Sequence, residues 1–195
     1  MDGVDRHQTA LEYLAMGFSV IPVRPGGKEP LVPWATYQER YPTAEDIDTW
    51  MELWPDCNLG IITGKISGIS VIDVDGEKGR DSIKGIVLPP TRVVKTPRGY
   101  HYYYQYNEVM RTVAGQLDGV DIRSDGGFVV APPSSVNDLS YHVVRDNDIA
   151  SFDPPKELTE RRGAVTAEVE QRDDLPSMPR WISQALQNGA PEGER

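Results

Sequence analysis

The apolar positions of the chain change period part-way along it. Over residues 6–17, "RHQTALEYLAMG", Ala10, Leu11, Leu14 and Ala15 recur at helical spacing, and Gly17 supplies a C-terminal cap. Over 43–54, Ile47, Trp50, Met51 and Trp54 share one helical face, with Thr43 placed to cap it. Between them, "FSVIPV" (18–23) reads as a buried strand and "RPGGKEPLVPW" (24–34) as an irregular loop rich in Pro and Gly. From residue 58 the runs become short and β-rich: "NLGIITG" (58–64) and "GISVIDVD" (68–75), bounded by glycines. A short helix near 77–85 follows, and then strands at 91–96, 101–106, 118–123, 127–131 and 140–144.

Turn chemistry adds two local expectations. "TPRG" (96–99) has the Pro and Gly positions of a type I turn. "SDGG" (124–127) centres Asp125-Gly126 in a two-residue turn with both φ angles positive, which predicts a hairpin over 118–131. From about Asp153 the chain turns polar through "RRGAVTAEVEQRDDLP" and ends with a short helix at 179–189. There is no internal repeat and no low-complexity tract. The order helix–strand–helix–strands, then mostly antiparallel strands, predicts an α+β fold. The expected organisation is a domain over 1–155, a linker over 156–178 and a helical segment over 179–195.

Composition narrows the function classes. No apolar run reaches the roughly 20 residues of a membrane span, and the N-terminus lacks the basic flank and apolar centre of a secretory signal. A cytoplasmic protein without membrane partners is the expectation. The single cysteine, Cys57, rules out an internal disulfide and a zinc site built on several thiolates. The net charge of −10 weighs against a nucleic-acid partner, because backbone contact recruits Lys and Arg. Carboxylates that hold divalent cations are not free negative charge, however, and Lys95, Arg98, Arg111 and Arg123 lie in one short span.

The candidate chemistry starts at "SVIDVDGEKG" (70–79). Strand alternation puts Asp73 and Asp75 on one face, where two carboxylates repel unless a divalent cation lies between them. Hard oxygen ligands suit Mg²⁺ or Mn²⁺. An exposed turn ahead of Gly76 explains the same residues without a metal. Asp121, in "GVDIRSDGG", is the best-placed third carboxylate and shares a strand face with Arg123, whereas Asp118 and Asp125 read as structural. In "KTPRGYHYYYQY" (95–106), His101 enters a strand directly after a turn holding Arg98, with Lys95 just before it. That arrangement resembles a grip for phosphate oxygens. The alternating tyrosines read as core or sheet surface. Lys28 is a further candidate phosphate contact or equally an exposed surface lysine, and Asn58 a nucleotide contact or the start of a strand; Ser134 and Ser135 could add hydroxyl donors but read better as turn serines.

Taken together, these motifs resemble a known family. An acidic DxD at a strand end, a small-x-His strand and an apolar-Asp strand follow the motif order of the archaeo-eukaryotic primase superfamily. The chain looks most like the bifunctional primase-polymerase domain of plasmid, phage and prophage replication proteins. "AMGFSVIPVRPGGKEPLVPW", "DCNLGIITG", "SVIDVDG", "TPRGYHYYY" and "GVDIRSDGGFVVAPPS" carry the likeness. It implies an RRM-like catalytic core of mixed or antiparallel sheet joined to a small N-terminal α/β module. It also implies template-directed nucleotidyl transfer on single-stranded DNA, primed or unprimed, from NTPs or dNTPs with two divalent ions. Asp73, Asp75 and Asp121 match the metal carboxylates, and His101 the triphosphate contact; Arg98, Arg123 and Lys28 follow as phosphate contacts. No zinc is expected. "PRWISQALQNGAPEGER" resembles the opening of the helical accessory domain of larger replication proteins that carry helicase regions, so a fragment of a longer prokaryotic, plasmid, phage or prophage protein is expected. Two other readings of the residues remain: a DxDG-type phosphatase-like hydrolase with Asp73 as nucleophile, and a non-catalytic nucleotide or nucleic-acid binding module.

Overall fold

A computed structural model describes residues 5–160. The expectations for 161–178 and for a helix at 179–189 lie outside the described residues. The chain starts with α1 (Arg6–Ala15), capped by Asp5, whose carboxylate accepts the backbone N–H groups of His7 and Gln8. Gly17, at φ 85°, closes the helix as its position predicts. β1 (Val20–Val23) follows, and then a 3₁₀ turn over Trp34–Gln38. α2 (Ala44–Leu53) opens with a capping box: the Thr43 hydroxyl accepts the Asp46 N–H, and the Asp46 carboxylate accepts the Thr43 N–H. Ile47 and Trp50 form its buried stripe.

The remaining elements are β2 (Asn58–Ile62), β3 (Ile69–Asp75), α3 (Gly76–Ser82), β4 (Val93–Lys95), β5 (Gly99–Gln105), β6 (Val113–Leu117), β7 (Val120–Arg123), β8 (Phe128–Ala131), β9 (Ser135–Val136), β10 (Leu139–Ser140) and β11 (His142–Arg145). A 3₁₀ turn over Lys156–Leu158 ends the series. β6, β9 and β10 had no signal in the hydrophobic pattern. Six strands make one sheet in the order β11-β4-β5-β3-β7-β6, and three make a second in the order β1-β2-β8. All pairs within these two sheets are antiparallel. The fold is therefore α+β with antiparallel sheets and few helices.

The hairpin expected over 118–131 does not form. β7 pairs with β3 and β6, whereas β8 leaves the large sheet and pairs with β2. The turn between them is real, with the Gly127 N–H donating to the Ser124 carbonyl at 3.0 Å. Only Gly126 has positive φ (74°), so this is not the turn whose twist brings two strands back side by side. The crossing makes the N-terminal layer discontinuous in sequence: β8 completes the sheet that β1 and β2 begin.

The large sheet is buried on both faces. Val71, Val94 and Tyr103 join a core with the small sheet, α1 and α2. Ile72, Val74, Tyr104, Val120 and Ile122 form a second core on the opposite face, with Met110, Leu117, Phe152 and Leu158. Leu158 carries the packed region past residue 155, and the Gln116 side-chain amide holds this end by donating to the Glu157 and Glu160 carbonyls. Along β3 every residue is buried except Asp73 and Asp75, which are only partly so. Opposite Asp75, Gly99 is held so close that a Cβ there would be driven into the Val74 carbonyl oxygen. Among the described residues no helix is long and apolar enough to cross a membrane.

Candidate active site

β3 is the middle of the site because it is paired on both sides. Its Asp73 lies opposite His101 of β5 and opposite Asp121 of β7. Directly opposed residues share a face, and neighbouring strands lie about 4.8 Å apart, so the three side chains form one row across the sheet. Asp75, two residues on, lies on the same face at the strand end, where Gly76 (φ 64°) breaks the strand and opens α3.

Each acidic residue has a cationic or imidazole neighbour. Asp121 accepts a hydrogen bond from Arg123 Nη2 at 2.7 Å, and its other oxygen accepts the Gly115 N–H at 2.7 Å. Asp75 is bonded by the Arg98 guanidinium from the β4–β5 turn. Arg98 is 70 % exposed, so this pair is worth at most about 1 kcal/mol and opens at little cost. Asp73 Oδ1 lies 3.5 Å from His101 Nε2, too far for a full hydrogen bond. That oxygen is buried with no partner at hydrogen-bond distance among the described residues, and so is His101 Nδ1. Burial pushes the Asp73 carboxyl up, but the neighbouring His101 and the charges of Lys28 and Arg123 outweigh it and hold the group below its ordinary value. Asp73 is thus an anion at neutral pH, with one oxygen unspent.

Above the row lies a cleft of about 240 Å³ lined by Asp73, His101, Arg123, Lys28, Trp34 and Tyr141, with the backbone of Gly126 and Gly127 at one edge. Trp34 packs edge-on against Phe128, ring centroids 5.3 Å apart. Tyr141 packs on His101 at 5.9 Å, and burial with the nearby Asp73 and Asp75 pushes its phenol up to about 12, so it remains a neutral donor. Neither Trp34 nor Tyr141 stands out in the sequence. No local spacing marks them, because they reach the cleft from segments remote from β3.

The structure therefore brings Asp73, His101, Arg123 and Lys28 to one cleft, with Asp121 beside Asp73 in the same row. It places Arg98 at the rim through Asp75. Lys95 is not part of this group. It stands opposite Tyr100, on the face away from His101, and its ammonium donates to the Thr96 and Gly99 carbonyls at 2.8 and 3.1 Å. Arg111 lines a separate hollow with Glu108 and Asp125. Ser134 is structural: its hydroxyl accepts the Leu59 N–H at 2.8 Å. Asp125 is too, accepting from the Lys65 N–H and the Tyr106 hydroxyl.

A family model described as the N-terminal domain of bifunctional DNA primase/polymerase matches residues 10–181. The chain belongs to that family. Every element of the row and cleft falls inside the matched span, and membership carries DNA primase/polymerase activity as the general function. No curated protein matches the chain.

The donor chemistry suits a hard divalent ion: three carboxylates on one sheet face, one with an unspent buried oxygen. No three His, Cys, Asp or Glu side chains among the described residues already converge on one point. Asp75 and Asp121 are turned to their arginines instead, so the pairs Arg98–Asp75 and Arg123–Asp121 have to open for a shared ion.

Proposed function

We propose that the protein is a template-directed nucleotidyltransferase that makes or extends primers on single-stranded DNA. The observation that carries this reading is Asp73 held between His101 and Asp121 beneath a cleft that also presents Lys28 and Arg123. Asp73, Asp75 and Asp121 are the side chains that would hold two Mg²⁺ or Mn²⁺ ions. When bound, such ions lower the pKa of an attacking hydroxyl and neutralise a leaving pyrophosphate.

The chain's own residues supply the rest. Lys28 and Arg123, which both line the cleft, neutralise triphosphate oxygens, and Arg98 does so once Asp75 is engaged elsewhere. His101, fixed in the sheet and backed by Tyr141, contacts the triphosphate without reorganising. Trp34 and Phe128 wall the cleft beside the base and sugar. In the reaction a primer 3′-hydroxyl oxygen bonds to the α-phosphorus, the bond to the β-phosphate oxygen breaks, and the hydroxyl proton passes to solvent. In unprimed synthesis a second nucleotide takes the place of the primer.

An RRM-like core is part of this reading. The strand order β4-β5-β3-β7, with α3 after β3, supports it: counted from β3 this is the 2-3-1-4 order of a βαββαβ unit, although β6, an edge strand, takes the place of the second helix in the chain order. The same placement disfavours a DxDG phosphatase, in which the aspartates end the first strand of a parallel sheet.

The test is primer extension and unprimed synthesis on single-stranded DNA, with rNTPs and dNTPs compared under Mg²⁺ and Mn²⁺. Incorporation that depends on the template and vanishes in Asp73→Ala is expected. Full incorporation by Asp73→Ala overturns the site. Phosphate release from small monoesters without incorporation overturns the activity in favour of a hydrolase, and nucleotide binding alone favours a binding module.

A further inference from the structure

Lys28 reaches the cleft from the tip of a Gly-Pro loop, a location that by itself would leave its ammonium free to wander. The loop leaves β1 at Val23 and returns at Pro30, with the Arg24 N–H donating to the Glu29 carbonyl at 2.8 Å. Its tip is held from inside the protein by the Asn58 side chain. Asn58, the first residue of β2, is 1 % exposed. Its side-chain amide donates to the Gly27 carbonyl at 3.0 Å and to the Ser135 carbonyl at 2.7 Å. Its side-chain oxygen accepts the Ser135 N–H at 3.1 Å. Both amide protons and the oxygen are therefore spent on backbone, none on solvent. A bridge between Gly26 and Val136 runs beside this contact and ties the same two segments.

We propose that Asn58 is a positioning residue for triphosphate binding: it locks the Gly27 peptide to the 134–136 segment and so aims Lys28 across the cleft toward Asp73 and Arg123. This rests on the reading of the cleft as a triphosphate site. The physical argument is one of preorganisation. A flexible lysine gives up rotamer and loop entropy when it grips a phosphate, whereas a loop already pinned one residue before the lysine has lost most of it. A buried amide is the group for this, because each lost hydrogen bond would leave a partly buried backbone group, the Gly27 carbonyl or the Ser135 carbonyl or N–H, without its partner. Without Asn58, the Gly27 carbonyl and both Ser135 backbone groups lose their partner together.

The test is a double-mutant cycle on Lys28→Ala and Asn58→Ala, read as affinity for a nucleoside triphosphate and as amide hydrogen exchange over 24–30. Lys28→Ala is expected to weaken binding about tenfold or more, the scale of one charge-assisted phosphate contact. Asn58→Ala should give much of that loss as a rise in nucleotide KM with kcat largely kept. The double variant should be within about twofold of Lys28→Ala, because a lysine that is gone cannot be misplaced. Exchange over 24–30 should speed up in Asn58→Ala and not in Lys28→Ala. Wild-type affinity in Asn58→Ala, losses that multiply in full, or unchanged exchange overturns the positioning role. If the wild-type protein binds no triphosphate, the cleft reading and this proposal fall together, with exchange still reporting whether the clamp exists. Asn58→Ser, which keeps one hydroxyl for the same partners, carries the comparison should Asn58→Ala not fold.

Discussion

Asp73 Oδ1 and His101 Nε2 face each other at 3.5 Å in the middle of the large sheet, close enough to sense each other's charge and too far to satisfy each other. The pair is held there by a register of seven consecutive opposed residues between β3 and β5, from Ile69 against Gln105 to Asp75 against Gly99. The backbone thus maintains an unspent carboxylate oxygen beside an imidazole, a costly arrangement to leave empty.

Removing that oxygen should stop synthesis and spare the fold. Asp73→Asn and Asp121→Asn are expected to lower nucleotide incorporation by more than about 100-fold, since even groups that only support a metal ligand cost about 10- to 100-fold. Circular dichroism and thermal melts should stay near wild type. Incorporation within a few-fold of wild type in either variant counts against the carboxylate row.

Arg98 should oppose itself in two assays. As the exposed partner of Asp75 it competes with a divalent ion, and as a phosphate contact it helps the nucleotide. Arg98→Ala should raise Mn²⁺ affinity by up to about fivefold, equivalent to losing a pair worth about 1 kcal/mol. The same variant should bind triphosphate more weakly. Paramagnetic titration of Mn²⁺ and a nucleotide-binding assay read the two effects separately, and a shift in the same direction in both contradicts this role.

Gly99 should tolerate no side chain. Its Cβ would be forced into the Val74 carbonyl, a backbone atom in the central strand that has nowhere to move. Gly99→Ala is expected to cost about 3 kcal/mol or more and to lower Tm by roughly 6–12 °C. Differential scanning calorimetry checks this directly.

Cys57 should be inert until the protein unfolds. Its thiol is fully buried beside Met51, and burial pushes it up to about 11. The folded value lies above the unfolded one, so the neutral thiol is favoured through pH 7–9 and the reactive thiolate is scarce. Any stability linked to this group is present below the unfolded thiol pKa and is lost as pH rises toward 11. At pH 8 a disulfide reagent should label Cys57 slowly in buffer and within seconds in denaturant; fast labelling of the native protein would show the site to be open.

Much of the local architecture is legible in the sequence. α1 and α2 announce themselves because their apolar stripes and caps are encoded within a dozen residues, as with Thr43 and Ile47–Trp50. β3 is legible for a similar reason: an unbroken apolar run interrupted only by two aspartates has to be a buried strand that presents them. The face shared by Asp121 and Arg123 follows from strand alternation, and their 2.7 Å contact agrees with it.

The partners of these elements are decided only in three dimensions. Nothing in "SDGG" says that β8 will leave the sheet of β7 for β2, because a turn sets local direction while pairing depends on which remote strand offers an open edge. Lys95 and Arg98 look alike in the chain, yet one residue's difference in pleat sends Lys95 to the opposite face from His101. Trp34, Tyr141 and Asn58 acquire their places from remote segments, Trp34 against Phe128 and Asn58 through Ser135, 77 residues away. The sequence by itself determined the acidic strand, the strand that carries His101 and the family they belong to, since those are written in short motifs. Tertiary structure alone decided that Asp73 stands between His101 and Asp121, and that Lys28 is held over them, because cross-strand register and loop anchoring are properties of the packed chain.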